Sequence, residues 1–68
     1  MRYMIKLKAA KAVEVGEHVL KPIQPDGVLI ARTITKADVT DDGKKIEIQT
    51  DDGIVHILSV EDVLAVVD

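Results

Sequence analysis

Valine, isoleucine and threonine make up 22 of the 68 residues, and this share of side chains branched at Cβ constrains the fold most. Such side chains lose rotamer freedom in a helix and pack well on the pleated surface of a strand. A chain of this length buries only about 60% of the surface that its unfolded form exposes. Cysteine is absent, so no disulfide assists the core. We therefore predict a single all-β domain over residues 1–68 with an aliphatic core.

The first eight residues alternate between two kinds of side chain. Apolar residues occupy the odd positions, and the even positions 2, 6 and 8 are basic. A period of two predicts a strand with an outward basic stripe. A second extended segment over residues 13–20 is expected to bend at Gly16. Two prolines and an Asp-Gly pair then predict a loop over residues 21–27.

A long strand is predicted over residues 28–39. Its apolar residues change from even to odd positions, which predicts a bulge between Ile34 and Ala37. Two Asp-Gly pairs, at residues 42–43 and 52–53, are typical of two-residue type I′ hairpin turns. The first turn would place Val39 opposite Ile46 and Ala37 opposite Ile48. The second would complete a three-stranded meander over residues 28–58 whose inward residues are Ile46, Ile48, Val55 and Ile57.

The last ten residues, SVEDVLAVVD, fit two structures. Their apolar spacing suits a helix, and Ser59 with Asp62 suits a capping box. Their many valines favour a strand instead, so we predict one turn at residues 60–62 and a closing strand from Val63 to Val67. Together these segments predict a five-stranded SH3-like barrel with a one-turn helix before the last strand.

Two segments resemble known families. The segment VEVGEHVL, residues 13–20, resembles the glycine-acid segment of many small barrels, including Tudor and KOW domains. The segment SVEDVLAVV, residues 59–67, is similar to the closing strand of the ten-kilodalton co-chaperonins, where VEVGEHVL also has a counterpart in the same order. Neither resemblance carries a function over to this chain.

No residue pattern predicts chemistry. Residues 38–49 place acidic side chains and Gly43 as an EF-hand loop would, but the twelfth residue is Gln49 where a bidentate glutamate is needed. His56, expected on the face opposite Val55 and Ile57, and His18 have no local zinc-ligand motif around them. The only serine, Ser59, has a capping role in this interpretation. We expect no catalytic residues, no metal, no cofactor and no small-molecule substrate.

Charge is divided unevenly along the chain. Residues 1–13 carry four cations and no acid, whereas residues 14–68 carry five cations and twelve acids. The basic residues at the start could follow a phosphate backbone, or they could protect a strand near the sheet edge from unwanted pairing. A nucleic-acid-binding barrel is therefore the alternative function, with contacts from Arg2, Lys6, Lys8 and Lys11.

The preferred hypothesis is a non-catalytic module that binds a protein partner or its own copies. It depends on apolar residues left over by the strand pattern, namely Ile30, Ile34, Ile54 and Leu58. Curvature of the barrel could equally turn these side chains inward. The sequence has no signal-peptide pattern and no apolar stretch of membrane-spanning length, which predicts a cytoplasmic protein without membrane contact.

Overall fold

The computed structural model describes residues 4–23 and 28–67, and it confirms the all-β class, with no α-helix in these ranges. Arg2 and the predicted turn at residues 24–27 lie outside the described residues. The strands are β1 (Ile5–Ala9), β2 (His18–Ile23), β3 (Val28–Val39), β4 (Lys45–Thr50), β5 (Val55–Ser59) and β6 (Val63–Val67), with a short 3-10 helix at Ala10–Ala12.

The strands form one antiparallel sheet in the order β1-β6-β2-β3-β4-β5. The prediction of five strands in a closed barrel is therefore wrong, because the described residues form a sheet of six strands that is not closed. In the described residues β1 pairs only with β6 and β5 pairs only with β4. The predicted loop at residues 21–27 also begins too early, since β2 continues to Ile23 and pairs with the start of β3.

Strand β3 bends and serves two parts of the sheet. Its first six residues pair with β2, and residues from Ile34 onward pair with β4. The register shifts between Ile34 and Lys36, which confirms the predicted bulge. We call β1, β6, β2 and the start of β3 the four-stranded half, and the end of β3 with β4 and β5 the three-stranded half.

The β3–β4 hairpin has the predicted register, with Val39 opposite Ile46 and Ala37 opposite Ile48. The turn type differs from the prediction. A type I′ turn needs positive φ at both central residues, whereas the described residues with positive φ are all glycines, including Gly43 at 71°. The chain closes where Thr40 N donates to Lys45 O over 2.8 Å, which leaves four residues in the loop. Because the loop has an even number of residues, the side chains of β4 face the sides that a two-residue loop predicts.

The β4–β5 hairpin overturns the predicted inward set. Thr50 N donates to Ile54 O over 3.1 Å, so the loop holds three residues and ends at Gly53 with φ 80°. An odd loop reverses the alternation on the second strand. Ile48 therefore lies opposite His56, while Val55 and Ile57 point to the exposed side.

The core lies between the two halves and is small. Its buried apolar residues are Ala10, Val13, Val19, Ile34, Ile46, Ile48 and Val66. Ala37, Leu58, Val60 and Leu64 pack against them. Before β6, Asp62 N donates to Ser59 O over 3.0 Å and closes a turn in place of the predicted one-turn helix. The strand predicted from Val63 to Val67 is confirmed.

Candidate protein interface

The outward side of the four-stranded half carries a continuous set of apolar side chains. Residues directly opposite each other in an antiparallel pair project to the same side. The pairs on this side include Ile5 with Val67, Leu7 with Ala65, and Leu20 with Ala31. We define the outer apolar face by this register as Ile5, Leu7, Ala9, His18, Leu20, Leu29, Ala31, Thr33, Val63, Ala65 and Val67.

Large side chains of the outer apolar face are more than half exposed. The exposed fraction is 74% for Leu7, 63% for Val63, 61% for Ile5 and 59% for Leu29. None of the residues that define the face is charged, although 31% of the chain is Asp, Glu, Lys or Arg. Single exposed apolar residues are ordinary on protein surfaces, whereas large contiguous apolar patches are uncommon on monomeric soluble proteins.

The outer apolar face contains both a hollow and projecting side chains. The hollow has a volume of about 320 Å³ and is lined by Ile5, Leu20, Ala31 and Val67. The two polar residues of the outer apolar face, His18 and Thr33, contact each other. His18 Nδ1 and Thr33 Oγ1 are 3.0 Å apart, which is within hydrogen-bonding distance. The Nδ1 atom and the hydroxyl group can therefore satisfy each other when the face loses water.

Strand β6 shows why the sequence produces this face. Its residues VLAVV are apolar at every position, with Val66 in the core and Val63 exposed on the opposite side. A run that is apolar on both faces is typical of a strand covered on both sides. The same signal was available in the sequence, but alternation within β1 suggested that Ile5 and Leu7 point inward. They point outward, and Lys6 and Lys8 project to the side of Val66 and Leu64.

The four residues predicted for an interface do not form one surface. Ile34 is fully buried and Leu58 packs against the core, so the curvature alternative applies to both. Ile30 is half-buried and lies opposite Lys21. Ile54 is exposed beside the β4–β5 turn and is not among the paired residues that define the outer apolar face. The contiguous outward apolar surface of the described residues is instead the outer apolar face.

The basic residues Lys6 and Lys8 project to the same side of β1, and Lys11 lies on the 3-10 helix that follows. Lys8 Nζ donates to both carboxylate oxygens of Glu17, over 2.9 and 3.1 Å, and ties β1 to the turn before β2. This hydrogen bond is the largest cause that lowers the pKa of Glu17. Lys6 and Lys11 are exposed on β1 and on the 3-10 helix. Lys8 is thus part of an intramolecular ion pair rather than a simple outward stripe.

A cleft on the inner side of the sheet contains His56, contrary to the predicted outward position. The volume of the cleft is about 190 Å³, and the residues that line it include Ile48, Thr50, His56, Leu58 and Leu64. Among the described residues, His56 Nε2 is buried without a hydrogen-bond partner. Burial lowers the pKa of His56, and the charge of Lys21 adds to the effect. The histidine is thereby biased toward its neutral form.

The acidic residues of the turns are held by local hydrogen bonds. Asp52 accepts from Thr50 Oγ1 over 2.5 Å, from Lys21 Nζ over 2.9 Å and from Ile54 N over 3.1 Å. The Thr50 hydrogen bond is the largest cause that holds the pKa of Asp52 far below its usual range, followed by Lys21. In the other turn Asp42 accepts from Thr40 Oγ1 over 2.6 Å. These carboxylates stabilise hairpin turns.

Within residues 4–23 and 28–67, no group of three or more His, Asp or Glu side chains could hold a metal ion. Those ranges also contain no helix of the length and apolar character required to cross a membrane. Comparison with known proteins finds no matching family model, no similar curated protein and no similar solved structure.

Proposed function

We propose that this protein is a non-catalytic binding or assembly module whose outer apolar face is a protein interface. The observation that carries the proposal is the contiguous, uncharged set of side chains on the four-stranded half, four of which are more than half exposed. Full burial of one such Leu, Ile or Val side chain is worth about 1.5–3 kcal/mol. Covering the face with another protein surface would therefore supply a substantial driving force.

The shape of the surface supports a protein partner. A sheet face of aliphatic side chains packs against another sheet at about 10 Å and forms a shared core. One side of the four-stranded half already packs against the core of the protein. The other side is therefore available to a partner. Strand β3 bends and pairs with β2 in one half and with β4 in the other, which supports an arrangement that is SH3-like but open. Action in the cytoplasm without a cofactor is also part of this proposal.

Contact with nucleic acid is the weaker candidate. Lys6 and Lys11 are exposed and could approach phosphates. Lys8, however, is committed to Glu17.

Site-specific photocrosslinking in cells that produce the protein tests the proposed interface. A photoreactive phenylalanine analogue would replace Leu7 on the outer apolar face or, as a matched control, Ile57 on the three-stranded half. Both positions are exposed strand residues, 74% and 64% respectively. We expect a discrete protein adduct from position 7 and little or none from position 57. Equal yields from both positions, or no adduct from position 7, would contradict the proposal.

A further inference from the structure

We infer that the partner of the outer apolar face is a second copy of this chain, packed face to face about a two-fold axis. The inference rests on the proposed function, since it names the occupant of the same surface. In a two-fold contact each residue meets the same surface on the other copy, so the face has to be complementary to itself. Three properties of the face meet this requirement, namely its charge, its relief and its area.

Charge is the first property. In a two-fold contact a charged group near the axis lies close to its own symmetry mate, and like charges that lose water repel. The outer apolar face avoids this penalty because none of its defining residues is charged. The opposite is true elsewhere on the sheet, where the exposed side of the three-stranded half includes Lys36, Asp38 and Glu47 beside Ile57. A foreign charged partner would find no complementary charge among the side chains that define this face.

Relief is the second property. The hollow bordered by Ile5, Leu20, Ala31 and Val67 lies on the same face as the projecting Leu7, Leu29 and Val63. One surface thus offers both a recess and the side chains that could fill a recess. Rotation about a two-fold axis can place projections of each copy against the recess of the other, which is the interdigitation that packed sheets require.

Area is the third property. The accessible surface is 4848 Å² for a chain of 7.4 kDa. A folded monomer of this mass is expected to expose about 4200 Å². The surplus of roughly 600 Å² approaches the ~800 Å² that each partner buries in a standard interface. The exposed side chains of the outer apolar face contribute to this surplus, and burial against a second copy would reduce it.

Sedimentation equilibrium over low micromolar to millimolar concentrations tests the inference. Wild type is expected to approach twice 7.4 kDa as its concentration rises. Two separate variants, Leu7→Glu and Val63→Lys, each place a charge within the apolar contact, where it would lose water without a partner, and each should weaken self-association at least tenfold. The control Ile57→Lys adds a charge at an exposed strand position opposite Glu47 and should leave the dimer unchanged. Dispersed amide spectra would establish that each variant is folded.

The outcomes separate this inference from the proposed function. A wild type that stays monomeric, or a dimer that both face variants leave intact, overturns the second copy as the partner. If the monomeric wild type still forms a position-7 adduct with a different protein in cells, only the identity of the partner is wrong. If it forms no adduct at all, the interface itself is wrong. Binding of the monomer to lipid vesicles through position 7 would likewise overturn the inference.

Discussion

His56 lies directly opposite Ile48 in the β4–β5 pair, with its ring on the core side of the sheet. The three residues between Thr50 and Ile54 cause this position, because an odd loop reverses the alternation of β5. An imidazole thus lies on the same side of the hairpin as the aliphatic side chains of Ile46, Ile48 and Leu58. Its Nε2 atom is buried there without a hydrogen-bond partner among the described residues.

Replacing His56 should change how stability depends on pH. Burial lowers the pKa of His56 below 6.5 in the folded state, so the unfolded state binds a proton first as the pH falls. Neutral His56 should therefore contribute fully to the free energy of unfolding of the wild type above pH 6.5. This contribution is lost as the pH falls through the lowered folded pKa. In His56→Leu this loss is absent. Urea unfolding of both proteins between about pH 5 and 8 would measure the difference.

The difference in free energy of unfolding between the two proteins is taken at each pH as the control. The carboxylates that both proteins share titrate equally, so their effect cancels in this difference. The free energy of unfolding of the variant should rise relative to that of the wild type toward acid pH. A constant difference across the range would show that protonation of His56 is not coupled to folding.

Gly53 should resist replacement by an L-amino acid. Its φ is 80°, and an added Cβ would meet no atom within 4 Å, so only backbone conformation opposes a side chain. The left-handed conformation costs an L-residue about 1–2 kcal/mol, and Gly53→Ala should lower the free energy of unfolding by that amount. A synthetic chain with D-alanine at position 53 should be at least as stable as the wild type. Thermal unfolding compares the three, and equal losses for both alanines would contradict the conformational cause.

Ile34 and Ile57 provide a matched test of which residues form the core. Ile34 is fully buried at the bend of β3, whereas Ile57 is 64% exposed on β5. Truncation of a buried isoleucine to alanine costs about 2–5 kcal/mol, because it removes apolar contacts and leaves a cavity. Ile34→Ala should fall in this range and Ile57→Ala well below it in urea unfolding. The reverse order would restore the inward position predicted for Ile57.

Asp52→Asn should destabilise the protein at neutral pH. The ionised carboxylate accepts hydrogen bonds from Thr50, Lys21 and Ile54, and these lower its pKa. Because the folded pKa is lowered, the stabilisation is present above the unfolded pKa of 3.8 and is lost as the pH falls toward the folded pKa. The melting temperature of the variant should therefore be lower at pH 7, and the gap should narrow in strong acid.

Asp41→Asn is a suitable control for Asp52→Asn, since it changes an exposed aspartate in the other turn. It should alter the melting temperature much less. Equal effects of the two substitutions would mean that general charge, rather than the hydrogen bonds at Asp52, stabilises the turn.

Local signals in the sequence determined much of the fold. The bounds of β3 and β6, the bulge after Ile34 and the pairing of Val39 with Ile46 all agree with the structure. Each depends on residues close together in the chain, through alternation, bulge parity or an even hairpin loop. The position of the turn at Asp52-Gly53 was also clear from the sequence, because Gly53 supplies the positive φ that the loop needs.

Tertiary structure alone decided which side of each strand is covered. Alternation states that Ile5 and Lys6 face opposite ways, but it does not state which one meets the core. That depended on the register with β6, whose residues are apolar on both sides. Likewise, a loop of three residues instead of two moved His56 inward and Ile57 outward. A strand has period two, so a change of one residue or one partner exchanges its faces, and only the assembled sheet shows which apolar face is left uncovered.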